Sequence, residues 1–296
     1  METALLFAAQ FLVGGTNTLL NKRFQLTFTP DPLHFLVYNM INALLASVNF
    51  FLAVGGRISC TAVTLGFSAV FALVVMLSLC LHILALEVLT IPMYAVTSSA
   101  GGLLTSSLFG ILFLWEKATV FVFFAMAAVL AAVLLPWAAV LRKHQRLGKR
   151  QVLLCAAVFC TAGLGSILSK LYTVTPGTSP SNQYFLMTNL LILLLSALAT
   201  AGHLLRSRTP VCRIFRLFRP VQLANMAGMT LASNLGSVIS ITLLARMALS
   251  GYNILSTSVS MAATFCLSVL VFREKPGLSQ LISALLVVAA TALYTL

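Results

Sequence analysis

The chain has 296 residues, 60% of them apolar and only 8% charged, with a net charge of +13 and a mean hydropathy of +1.05. A soluble domain carries about 25% charged residues, so a chain with this little polar surface is expected in a lipid bilayer. Its long apolar runs can satisfy their backbone amides there only as helices, since the alternation of a membrane barrel is absent. The basic excess lies in short loops and at helix ends, where Lys and Arg anchor and orient spans, so nucleic acid is not expected as a partner.

A span needs roughly 20 apolar residues, and ten fit, near 3–22, 33–54, 63–86, 91–114, 118–141, 152–172, 183–205, 220–246, 251–272 and 276–295. The first has no basic leader or small-residue cleavage site before it and is read as a retained span. Polar residues inside spans are the candidates for function, because each costs free energy in hydrocarbon unless it meets a partner or a water-filled cavity. Span one offers Asn17, Asn21 and Lys22, and span six offers Ser166, Ser169 and Lys170. The two lysines either snorkel to the headgroups or draw an anionic substrate inward. Spans two and seven place Asn39 and Asn189 at matched positions, with Asn42 near Asn39, for an interhelical hydrogen bond or for a cavity wall. Spans four and nine set Tyr94, Ser98 and Ser99 against Tyr252, Ser256 and Thr257. Spacings of four and five keep these groups along one side of a helix, although hydroxyls there can also bond back to the preceding turn. Asn253 and Asn234 join them more weakly.

Glu116 and Glu274 each stand beside a lysine at a span end, where capping or an interfacial pair is the plainer reading than proton coupling. No acidic residue lies mid-span. The six cysteines show no metal-ligand spacing and read as small apolar residues. Four scattered histidines lack companion carboxylates, and no phosphate loop or zinc spacing appears, so no catalytic set, cofactor or metal is expected. The pair Gly163 and Gly165 sits inside a span, where small residues let helices approach closely.

The chain is also internally repeated. Tyr94 to Lys117 aligns with Tyr252 to Lys275 at a shift of about 158, Leu5 to Lys22 with Leu153 to Lys170 at about 148, and Pro30 to Leu45 with Pro180 to Leu195 at about 150. This divides it into a first five-span repeat (1–141), a basic linker (142–151) and a second repeat (152–296). Five is odd, so the second repeat enters the membrane from the opposite side and is inverted, the usual construction of secondary transporters.

The endings Phe113-Leu114-Trp115-Glu116-Lys117 and Val271-Phe272-Arg273-Glu274-Lys275, each closing a small-residue-rich helix before a last apolar one, resemble the repeat of the drug/metabolite transporter superfamily, EamA-type. The resemblance covers the whole chain. It implies a central cavity surrounded by the first four helices of each repeat, with spans five and ten peripheral. It also implies both termini in the cytoplasm, whereas the distribution of Lys and Arg puts the loops after odd spans there and both termini outside.

The expected fold is thus all-α, ten transmembrane helices in two inverted five-helix repeats, in the plasma or inner membrane. The expected activity is secondary transport of a small neutral, zwitterionic or anionic metabolite through a mildly electropositive cavity, without enzymatic turnover. A membrane enzyme or lipid-handling protein using the same cavity, and a non-transporting scaffold, stay open as alternatives. The partners are the bilayer and a small-molecule substrate, with a homodimer left open.

Overall fold

Where apolar residues run on without a turn signal, the backbone has one way to pair its own amides in hydrocarbon, and every regular element among the described residues is accordingly an α-helix. The computed structural model describes residues 2–25, 32–86, 91–117, 119–141, 149–207 and 220–270, and beyond these 282, 285, 286, 288, 289, 292 and 293. The helices are α1 (Glu2–Gln25), α2 (Pro32–Ala53), α3 (Ala62–Leu86), α4 (Ile91–Phe113), α5 (Val120–Leu141), α6 (Lys149–Ala162), α7 (Leu164–Val174), α8 (Ser181–Ser207), α9 (Pro220–Arg246) and α10 (Leu249–Leu270). Their ends fall within a few residues of the spans expected from the sequence. The tenth expected span lies largely outside the described residues, and those described within it are helical.

Five stretches among the described residues are long and apolar enough to cross a membrane: Leu33–Ala53, Ala62–Leu81, Lys149–Val174, Ser181–Ser207 and Pro220–Arg246. Thr97–Phe113 and Val120–Ala132 are shorter apolar helices. Many large apolar side chains point outward from them, among them Leu73, Phe124, Leu153 and Leu198, which suits a lipid environment and would be a liability in water.

By internal contacts the chain divides into two compact units that cut across the sequence halves. One comprises Met1–Gly15, Leu77–Val174 and Ser240–Leu296, and the other Thr16–Met76 and Thr175–Ile239. In the second unit α2 packs along α8 more extensively than any other helix pair, with the rings of Phe50 and Phe185 stacked at 5.3 Å. Asn39 Nδ2 donates to Ser196 Oγ at 2.8 Å across that contact, and Thr230 Oγ1 donates to Asn42 Oδ1 at 2.5 Å. Ser196 is fully buried, and a pair of this kind is worth about 0.6–2 kcal/mol in a membrane. The sharp stop of α2 comes from Gly55, which takes φ 66° while its N–H and that of Gly56 return to the carbonyls of Leu52 and Phe51. This double return is a Schellman cap, for which a residue without Cβ is suited.

The first unit is built on α4, which touches α5, α6, α7 and α10. Ala100, Leu103, Val122, Ala125, Met126, Val129 and Ile254 form its core, with Leu293 packed against it. On α5 the buried residues Val122, Ala125, Met126, Val129 and Ala132 recur every three or four positions, while Phe121, Phe123 and Phe124 face outward, so one stripe holds the core and the other side is apolar and open. A methyl on Gly101 would overlap the Phe159 backbone, and one on Gly163 would overlap the Thr105 hydroxyl. The two glycines let α4 lie backbone to backbone on α6, as small residues do in membrane helix pairs.

Candidate functional site

The close approach at Gly163 also interrupts the helix. Residues 149–174 form one apolar run, yet the helix ends at Ala162 and restarts at Leu164, which turns the first residues of α7 toward α4 and α10. Beside this break lies a cavity of about 280 Å³. From α4 come Ser99, Gly102 and Leu103, from α7 comes Ser166, and from α10 come Tyr252, Asn253, Ser256, Thr257 and Ser260. Eight of the nine are polar residues or glycine and none is charged, in a unit whose core is otherwise aliphatic. About 280 Å³ lies near the lower end of the roughly 300–1,000 Å³ typical of small-molecule pockets.

Four of these residues, Ser99, Ser166, Tyr252 and Thr257, differ from hydroxyls that are spent on their own helices. Elsewhere Ser47, Thr105, Thr161 and Thr200 each donate to the carbonyl four residues back. Among the described residues, the side-chain hydroxyls of Ser99, Ser166, Tyr252 and Thr257 make no hydrogen bond. Ser256 Oγ accepts from Gln10 Nε2 of α1 at 2.8 Å, which leaves its own proton to donate. Asn253 is buried and bonds back to Leu249 O at 2.7 Å. The cavity thus presents several groups able both to donate and to accept.

Two charged residues shape the wall without lining it. Lys170 Nζ donates to Leu244 O and Met247 O, both at 2.7 Å, and so caps the C-terminal end of α9. Glu116 accepts from the backbone N–H of Leu249, from that of Ser250 at 3.0 Å and from its hydroxyl at 2.8 Å, and so caps the N-terminus of α10. Each charge has the sign that the helix dipole favours at its end. Together they hold the corner between Arg246 and Leu249 from which α10 enters the cavity wall. Trp115 takes φ 53°, a conformation uncommon outside glycine, and the Glu116 N–H turns back to Gly110 O at 3.2 Å. Gly110 leaves the room that the Glu116 carboxylate occupies.

No family model matches the chain and no curated protein matches it. A solved crystal structure, of a protein not further described, superposes on 99% of this chain and 96% of its own at a TM-score of 0.73 and 16% identity. The chain therefore has a fold already seen in a crystal.

Of the residues singled out from the sequence, the structure brings Ser99, Ser166, Tyr252, Asn253, Ser256 and Thr257 together in one cavity. Ser98 is half-buried on α4 but does not line it. Lys170 was expected either to snorkel or to attract substrate, and its ammonium instead serves a helix end, so the lining lacks the basic character expected of it. Asn39 and Asn189, matched in sequence, differ in role: the first crosses to α8 and the second bonds its own helix at Phe185 O, 2.8 Å away. Both belong to the second unit, as does Asn17. Asn21 and Lys22 lie in the last turns of α1 and Tyr94 in the first turn of α4, with side chains outside the described residues, and Glu274 falls outside them altogether. Gln10 was not singled out, although an amide within the apolar run of span one meets the same criterion as Asn17.

Proposed function

We propose that the chain is a secondary transporter that carries a small metabolite by alternating access, on the ten-span, two-repeat plan of the drug/metabolite transporter superfamily. The observation that carries this reading is the cavity in the first unit. It places hydroxyls with no partner among the described residues between apolar helices, where an unpaired polar group is costly unless water or a ligand meets it. The lining contains no carboxylate, imidazole or thiol, which favours carriage of a bound molecule over its conversion.

The repeat reading draws support from packing. Helices matched in sequence lie against each other within the units, α2 with α8 and α4 with α10. Ser99 and Thr257, matched at a shift of about 158, line the same cavity. A helix broken at Gly163 beside that cavity fits the use of discontinuous helices at transporter sites. The outward apolar face of α5 fits a peripheral fifth span.

Purified protein in liposomes provides the test. Vesicles preloaded with one metabolite at a time should accumulate the radiolabelled form by counterflow, saturably, and Thr257→Val should reduce the rate. Absence of counterflow for every amino acid, sugar, nucleoside and organic anion tried, in vesicles with folded protein, would remove the transport reading. Consumption of a lipid in the same vesicles would replace it with a membrane enzyme.

A further inference from the structure

We infer that the cavity of the first unit takes an uncharged, hydroxyl-rich ligand, a small polyol or monosaccharide, and that the Gln10–Ser256 pair sets the polarity with which one of its hydroxyls is received. The inference rests on the cavity serving as the binding site of the transport reading, and it narrows the substrate from any small metabolite to one class.

Charge decides first. A carboxylate or ammonium that exchanges hydration for a lining of neutral groups loses free energy unless an opposite charge meets it. None of the lining side chains is ionised. The cation nearest in sequence to the wall, Lys170, one turn beyond Ser166 on α7, is bound by two carbonyls of the α9 end, and Glu116 is bound by three donors at the start of α10. Redirecting either would uncap a helix. An anion, a cation and a zwitterion therefore all enter with unmatched charge, and a neutral ligand does not.

The kind of polar group decides next. The hydroxyls of Ser99, Ser166, Tyr252 and Thr257 have no hydrogen-bond partner among the described residues, and each can donate one hydrogen bond and accept others. A ligand bearing hydroxyls matches both capacities at once, whereas a ketone or an ether matches only donors. About 280 Å³ corresponds to on the order of nine waters at about 30 Å³ each, which suits a small polyhydroxylated molecule.

Gln10 adds direction. Its Nε2 donates to Ser256 Oγ, occupying acceptor capacity of that hydroxyl and leaving its proton to point away from Gln10. Its Oε1 is buried without a partner, so the amide is oriented by the Ser256 contact and not by a second bond. Ser256 is thereby biased to act as a donor toward the cavity.

The test measures equilibrium binding to the purified chain in detergent, separately from transport, with probes of one size and differing charge: D-glucose and myo-inositol, D-gluconate, and D-glucosamine. Saturable binding of glucose or inositol is expected, with gluconate and glucosamine at least tenfold weaker. Gln10→Ala should weaken the neutral probe several-fold. Ser99→Asp, at an exposed wall position that tolerates a larger side chain, should reverse the preference toward glucosamine, a change that a merely structural role for Ser99 would not produce. Binding of gluconate or glucosamine as tight as that of glucose, binding of no neutral probe, or a Ser99→Asp variant that folds and keeps its preference would each overturn the inference. Neutral-probe binding without counterflow would leave it standing and remove the transport reading, whereas counterflow of a charged metabolite would do the opposite.

Discussion

Thr257 is the residue at which the cavity is most directly probed, because its hydroxyl lines the wall and bonds to no group among the described residues. Thr257→Val keeps the shape and removes only the polar atom. A hydrogen bond to a neutral partner is worth about 0.5–1.5 kcal/mol, so the half-saturation concentration for transport should rise roughly two- to tenfold with the melting temperature unchanged, as read by counterflow and thermal unfolding. Lys170 and Glu116 behave in the reverse sense. Glu116→Ala removes the carboxylate that meets the first N–H groups of α10 and should cost about 1–2 kcal/mol, the scale of a lost N-cap, with Glu116→Gln losing less because its amide oxygen still accepts. Lys170→Met should lower the melting temperature yet leave the half-saturation concentration near that of the unaltered chain, since its ammonium meets α9 and not the cavity. A large rise in that concentration with no thermal effect would instead put Lys170 in the binding site. These partners lie 74 to 134 residues away in sequence, which is why a sequence reading could assign Lys170 and Glu116 a cost in the membrane but not the groups that offset it. Ser166, Ser256 and Thr257 were legible because hydroxyls within an apolar run need a reason to be there.

At the scale of the element, most helix ends were readable and the break in one helix was not. Hydropathy continues through Gly163 without a dip, so the run of residues 149–174 reads as one span, and only the approach of Thr105 and the Ser106 backbone shows why the helix divides there. Gly163→Leu should therefore act on both packing and the cavity. Its side chain has to displace α4 or α7, an overpacking that costs about 1–3 kcal/mol, and Ser166 moves with α7. The expected outcome is a lower melting temperature together with weakened ligand binding, measured on the same purified sample. Gly14 is the control, because a methyl there meets nothing within 4 Å and Gly14→Ala should leave both unchanged. The pairing of α2 with α8 followed from the repeat only as a symmetry of sequence, and the way the chain crosses between compact units became visible only in packing. Sequence similarity marks which helices correspond, whereas contacts mark which ones share a core.

At the scale of the whole chain, the question left to experiment is which side of the membrane each end faces. Within the first unit, contacts gather several helix ends at one level. Arg246, last in α9, pairs with Glu2, first in α1, at 2.6 Å; Lys170 near the end of α7 reaches the end of α9; and Glu116 beyond α4 reaches the start of α10. On the proposed ten-span plan these are the ends of even-numbered spans together with the N-terminus, as an alternating path through a bilayer requires. Arg246 is about half exposed and Glu2 largely so, so their pair contributes little to stability and serves here only to mark the level. Of the 18 Lys and Arg residues, Arg57, Lys117, Lys170 and Arg246 follow even-numbered spans on the proposed ten-span plan, and Lys170 is bonded to the end of α9. The remaining fourteen follow odd-numbered spans, chiefly in 142–150 and 206–219. On that plan the segments between spans are short enough for the positive-inside rule to act on them, and it retains the side richer in Lys and Arg in the cytoplasm. Both termini should accordingly lie outside, against the cytoplasmic placement that the transporter resemblance implies. A C-terminal alkaline phosphatase fusion, active only outside the cytoplasm, should be active, and a C-terminal green fluorescent protein fusion should stay dark. The opposite pair of results would show that inherited topology outweighs the charge of these loops. Moving basic residues should then reveal how far the balance extends: replacing Arg206, Arg208, Arg213, Arg216 and Arg219 with glutamine removes five of the fourteen, and if charge sets the orientation, part of the population should invert and both reporters should give signal.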